Sequence, residues 1–103
     1  MRLVLAVIEP ARLRAVKDAL AGVDVGRMTV CDALDERAER GAKTQPRLLR
    51  QAVLEIAVNE DFLDRTVEAI ARVTCGGDGA VYILPLDEVV RLSDAVRGAE
   101  AVS

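Results

Sequence analysis

The chain states one pattern twice. Leu3-Val4-Leu5-Ala6-Val7-Ile8, an amphipathic stretch and Arg27-Met28-Thr29-Val30 make one unit. Leu54-Glu55-Ile56-Ala57-Val58, a second amphipathic stretch and Ala80-Val81-Tyr82-Ile83-Leu84 make the other, roughly fifty residues further on. Short apolar runs bounded by turn residues read as strands, and the stretches between them carry helical periodicity. A duplicated strand–helix–strand unit in 103 residues predicts an α+β fold, a ferredoxin-like double βαβ sandwich. That is a four-stranded antiparallel sheet with two helices on one face, built as a single domain over residues 1–103. Many functions share this fold, so function has to come from particular residues.

Composition narrows the field. The chain is 51% hydrophobic with one Phe, one Tyr and no Trp, so its core is aliphatic. Its longest apolar run, Leu3 to Ile8, falls far short of the ~20 residues a membrane span needs. Neither membrane insertion nor a secretory signal is expected, because Glu9-Pro10 closes that run, and a cytoplasmic location follows. Net charge is −3 with both signs interspersed, which argues against nucleic-acid binding. Histidine is absent, removing histidine-based triads, general bases and the commonest zinc ligand. Cys31 and Cys75 lack metal or redox spacing and read as buried small residues or free thiols. A bridge between them stays open. No metal site and no catalytic residue is expected.

The first strand is apolar on both faces, since Leu3, Leu5 and Val7 alternate with Val4, Ala6 and Ile8. Its helix is expected from about Ala11 to Ala21, with Pro10 near the start and Gly22 at the end. Leu13, Val16 and Leu20 form its apolar stripe. The second helix is expected over Glu60 to Val73, capped by Asn59 and striped by Leu63, Val67 and Ile70. The two stripes cover one sheet face and leave the other, also apolar, for further subunits, so an obligate oligomer is expected.

Between the repeats, Ala33 to Gln51 reads as a charged connection. Glu36–Arg40 and Glu39–Lys43 allow a short solvated helix there, while Gly41 and Pro46 oppose a long one. The segment is either a plain solvated loop or a projecting loop that contacts a partner. Gly76-Gly77-Asp78-Gly79 is a tight turn or a cluster of backbone N–H groups facing an anion. Leu86 to Leu92 reads as a turn with a short strand or a helical turn, and residues 97–103 as a loose tail.

The order and spacing of these pieces resemble the PII nitrogen-regulatory signalling proteins. Ile8-Glu9-Pro10 stands where that family has Ile-Lys-Pro, followed at the family's spacing by the first helix and Met28-Thr29-Val30. Leu54-Glu55-Ile56 is similar to its Ile-Glu-Ile strand, and Gly77-Asp78-Gly79 to its Gly-Asp-Gly turn, with Val90-Arg91-Leu92 beyond. The resemblance implies a homotrimer whose inter-subunit clefts bind ADP or ATP, joined in typical members by 2-oxoglutarate and magnesium. It places Thr29, Gly77, Asp78, Gly79 and Arg91 in that ligand cleft. It also implies that the connection, here residues 32–51, docks onto a protein target and regulates it.

The departures are equally specific. The connection is shorter than the family's and lacks its modifiable tyrosine; Tyr82, the only tyrosine, lies in a strand. Ala80, Gln51 and Ser93 stand where the family carries cations. A phosphate contact to a charged donor is worth roughly 1.5–3 kcal/mol, so three such losses weaken nucleotide binding by orders of magnitude. Arg37, Arg40, Lys43, Arg47 and Arg50 are the substitutes at hand. The alternative is a trimeric scaffold that has lost effector binding. An enzyme is disfavoured, because adjacent acidic pairs such as Asp87-Glu88 read as solvated or capping residues.

Overall fold

The computed structural model describes residues 1–37 and 47–102. Strand β1 (Arg2–Ile8) leads through a 3-10 turn (Pro10–Arg12) into helix α1 (Leu13–Ala21) and strand β2 (Thr29–Arg37). Strand β3 (Arg47–Val58), helix α2 (Glu60–Thr74) and strand β4 (Ala80–Pro85) repeat the unit, and a 3-10 turn (Gly98–Ala101) follows. The sheet runs β2-β3-β1-β4 and every neighbouring pair is antiparallel. This is the double βαβ sandwich that the duplicated pattern requires.

Alternation explains the layering. Val4, Ala6 and Ile8 of β1 and Ala52, Leu54, Ile56 and Val58 of β3 are buried beneath the helices. Val16 and Leu20 of α1 and Ala69 and Ile70 of α2 close over them. Thr66 is also fully buried, and its hydroxyl donates to the Phe62 carbonyl at 2.7 Å, so this donor is not stranded in the core. On the opposite face Leu3, Leu5, Val7, Val53 and Ala57 are only half-buried, and Tyr82 and Leu84 are exposed.

Helix boundaries differ from expectation in instructive ways. The first turn after Pro10 is 3-10, and α1 begins at Leu13 instead of Ala11. Gly22 keeps a right-handed conformation (φ −65°); the left-handed residue that reverses the chain is Asp24 (φ 64°). Aspartate tolerates that region better than most side chains. Asn59 occupies the N-cap position of α2 without capping it, because its amide nitrogen donates to the Ala99 carbonyl at 3.1 Å instead.

Two segments are more ordered than their composition suggests. Within the connection expected over 33–51, β2 continues to Arg37 and β3 already begins at Arg47, so only 38–46 lies between them. Ala52 of β3 is partnered by Asp32 on one side and Ile8 on the other; earlier β3 residues pair with β2 alone, as a projecting two-stranded ribbon. The pairs Glu36–Arg40 and Glu39–Lys43, on which a short helix rests, lie partly outside the described residues.

Among the described residues, 97–102 are held in place and Ser103 lies outside them. Gly98 N–H donates to Val89 O at 2.9 Å, Arg91 N–H to Val96 O at 2.8 Å, and Ala101 is buried. Residues 89–98 thereby form a small hairpin with a single bridge, Val90 to Arg97, and an ion pair between Arg97 and Glu88. Both cysteines are exposed free thiols, the second of the two readings offered; Cys31 sits inside β2 and Cys75 follows α2.

Candidate ligand cleft

The five residues placed in a ligand cleft by the resemblance fall into two groups. Thr29 and Arg91 line one cleft of about 480 Å³, together with Arg27, Glu55, Ser93 and Val102. Thr29 opens β2 opposite Glu55 of β3, and the 89–98 hairpin carries Arg91 over them. Gly77 and Gly79 line a separate small recess with Glu9, Arg12 and Thr74, and Asp78 stands exposed in the same turn. Thr29 begins one edge strand and Gly79 precedes the other, so three inter-strand spacings, about 14 Å, separate them across the sheet. No small ligand touches both groups within one chain.

Each group is already partly satisfied by the protein itself. The Arg91 guanidinium grips Asp94, with Nη2 to Oδ2 at 2.7 Å and Nε to Oδ1 at 3.0 Å. Its Nη1 also reaches the Glu100 carbonyl at 3.5 Å, while Asp94 accepts the Val96 N–H at 3.1 Å. The hydrogen bond from Arg91 holds the Asp94 carboxyl below its ordinary range, and the same bond raises Arg91. Because the folded value of Asp94 is depressed, the pair is complete above the ordinary aspartate value of about 3.9 and is lost as pH falls through the folded value. Carboxyl-carbon NMR titration is expected to show Asp94 with a midpoint below the ordinary aspartate value of about 3.9; a midpoint at or above that value would contradict the pairing.

The glycine turn admits two readings from its sequence, a tight connection or N–H groups facing an anion. Gly77 N–H donates to the Thr74 carbonyl at 3.0 Å, as a tight turn requires. Gly76 supplies the left-handed residue (φ 83°) that the turn needs. Gly79 presses on β1: a Cβ there would lie 2.5 Å from the Val7 carbonyl oxygen. Gln51, expected just before the third strand, lies inside β3, buried, and its Oε1 has no hydrogen-bond partner among the described residues.

Sequence reasoning missed Arg12 and Glu9 beside the glycine turn, and Asp94 beside Arg91. The i, i+3 spacing of Arg91 and Asp94 was a legible signal; the approach of Glu9 to Gly77 depends on the fold. Among the described residues, no group of three or more Cys, Asp or Glu is placed to hold a metal ion. Among the described residues no helix is long and apolar enough to cross a membrane.

Fold and sequence comparison converge on one assignment. The chain belongs to the nitrogen regulatory protein P-II family, whose profile matches residues 1–95. These are regulatory signalling proteins, not enzymes. It is 37% identical to nitrogen regulatory protein GlnK1 of Methanosarcina mazei, over 99% of this chain and 97% of the relative. It is 35% identical to nitrogen regulatory protein P-II 1 of Methanothermobacter thermautotrophicus over the same shares. Nitrogen regulatory protein P-II of Azospirillum brasilense is 29% identical over 99% of this chain. The first alignment spans 114 positions against a chain of 103 residues, so that relative carries residues this chain lacks.

Proposed function

We propose that this chain is a cytoplasmic homotrimeric regulator that binds an adenine nucleotide weakly in clefts between its subunits and acts on a protein target through residues 32–51. The observation that carries this reading is the division of the ligand residues. Thr29 and Arg91 lie by one sheet edge, and Gly77, Asp78 and Gly79 lie at the other. A second copy brings the missing half to each. The half-exposed apolar face of β1, β3 and β4 supplies the surface that drives such assembly. The projecting β2–β3 ribbon, with Leu34 and Leu48 about two-thirds exposed, is the element offered to a target. The residues by which this chain is shorter than its archaeal relative fall, in this reading, between β2 and β3.

A scaffold reading has one observation in its favour. Arg91 and the Gly77 N–H, both needed by a phosphate, are already bonded to Asp94 and Thr74. Calorimetric titration with AMP, ADP and ATP, with the mass measured by light scattering, separates the two. The regulator reading expects a trimer with micromolar or weaker binding that Arg91→Ala lowers about tenfold or more, the worth of one charged hydrogen bond. A trimer that binds none of the three nucleotides leaves the scaffold; a monomer removes the inter-subunit cleft altogether.

A further inference from the structure

The glycine turn has a carboxylate built against it. Glu9 follows β1, is half-buried, and places its Oε1 3.2 Å from the point a Cβ on Gly77 would occupy. The side chain makes no hydrogen bond or ion pair among the described residues, although Arg12 lines the same recess. A carboxylate packed against Gly77 adds negative potential where a phosphate would approach the turn. Like charges juxtaposed in a partly desolvated cleft repel strongly, and the repulsion grows with each charge on the ligand.

The opposite half does not offset this. Arg91 is neutralised by Asp94, and Arg27 shares its cleft with the exposed carboxylate of Glu55. The cation beside the glycine turn is Arg12, which suits one phosphate group and not a chain of three.

We infer that Glu9 is a specificity-determining residue that restricts the cleft to nucleotides of low charge, so that its ligand is a nucleoside monophosphate and not a triphosphate. The inference rests on the nucleotide reading above and sharpens it. Glu9 excludes polyphosphates by repulsion, and Arg12 takes the single phosphate. A carboxylate here also keeps the protein indifferent to a large background of more highly charged nucleotides, the usual means by which a site rejects a close analogue.

The test is calorimetric titration of the whole protein with AMP and with ATP, in EDTA so that ATP keeps its full charge. The wild type is expected to bind AMP more tightly than ATP. Glu9→Gln is expected to tighten ATP about tenfold or more while changing AMP by less than about threefold. Arg12→Gln is expected to weaken AMP about tenfold. Wild-type preference for ATP, or an ATP-to-AMP ratio unmoved by Glu9→Gln, overturns the role of Glu9 and leaves the nucleotide reading standing. AMP binding untouched by Arg12→Gln removes the phosphate from this turn. Absence of binding by the wild type and both variants overturns the nucleotide reading and Glu9's role with it.

Discussion

If the proposed trimer forms through its open sheet face, Leu5→Glu is expected to leave single chains. Leu5 sits mid-strand in β1, one of the two inner strands, opposite Glu55 of β3 and Tyr82 of β4. Its neighbours Val4 and Ala6 are completely buried under the helices, so alternation sends Leu5 to the open face. Leu3, Val7, Val53, Ala57 and Leu84 share that face. A carboxylate there is harmless in a monomer, where water reaches it. In an assembled face it is buried without a partner, beside the like charge of Glu55, at a cost of about 3–5 kcal/mol per chain. That is more than about a hundredfold in the association constant for each interface. Light scattering should therefore give the mass of one chain, with the circular dichroism of the fold unchanged. Leu34→Glu is the control, since Leu34 is 68% exposed on the projecting ribbon and should leave the mass alone. If the Leu5 variant keeps the wild-type mass, the open face is not the interface.

The duplicated strands and both helices were legible because apolar spacing marks any element that packs against a core. β1 shows this best: its unbroken run of six apolar residues reported a strand apolar on both faces, one of them buried beneath the helices and the other half-buried. The ribbon was not legible. From Asp32 to Glu36 and Arg47 to Arg50 no residue is fully buried, so no strong alternation is written into them. They are held by pairing with each other, which composition does not record. The 97–102 segment was misread for a related reason: its order comes from contacts such as Asn59 to Ala99 and Arg91 to Glu100, each made by a residue far away or given another role. Of the site, residue types were visible and their engagement was not. Arg91 read as a free cation until Asp94 stood beside it, and Gly77 as a free N–H until Thr74 accepted its hydrogen bond. Where a group is already bonded is a property of the fold, and it decides whether a ligand gains anything by binding there.

Gly79→Ala should be the most destabilising of the glycine substitutions, for a reason of packing and not of backbone dihedral. Its φ is not in the left-handed region, so an alanine there meets no intrinsic strain. The added Cβ would instead lie 2.5 Å from the Val7 carbonyl oxygen and 3.6 Å from the Ile8 Cα. Neither is a flexible side-chain end. Val7 is fixed on both sides, by Val53 of β3 and by Ala80 of β4. Something has to move, and edge strand β4 is the less anchored party. The expected result is loss of β1–β4 pairing at the Val7–Ala80 end and a fall in stability of about 2–4 kcal/mol. Gly76→Ala meets no neighbour but forces alanine to a φ of 83°, at about 1–2 kcal/mol. Gly26→Ala meets neither obstacle and should be neutral or slightly stabilising through the unfolded chain. Urea unfolding of the three variants should give midpoints in the order Gly26→Ala, Gly76→Ala, Gly79→Ala from highest to lowest. A Gly79→Ala midpoint equal to that of Gly26→Ala would mean that β1 and the glycine turn do not meet at this distance. The turn's position, on which both the Glu9 contact and the second half of the cleft depend, would then have to be redrawn.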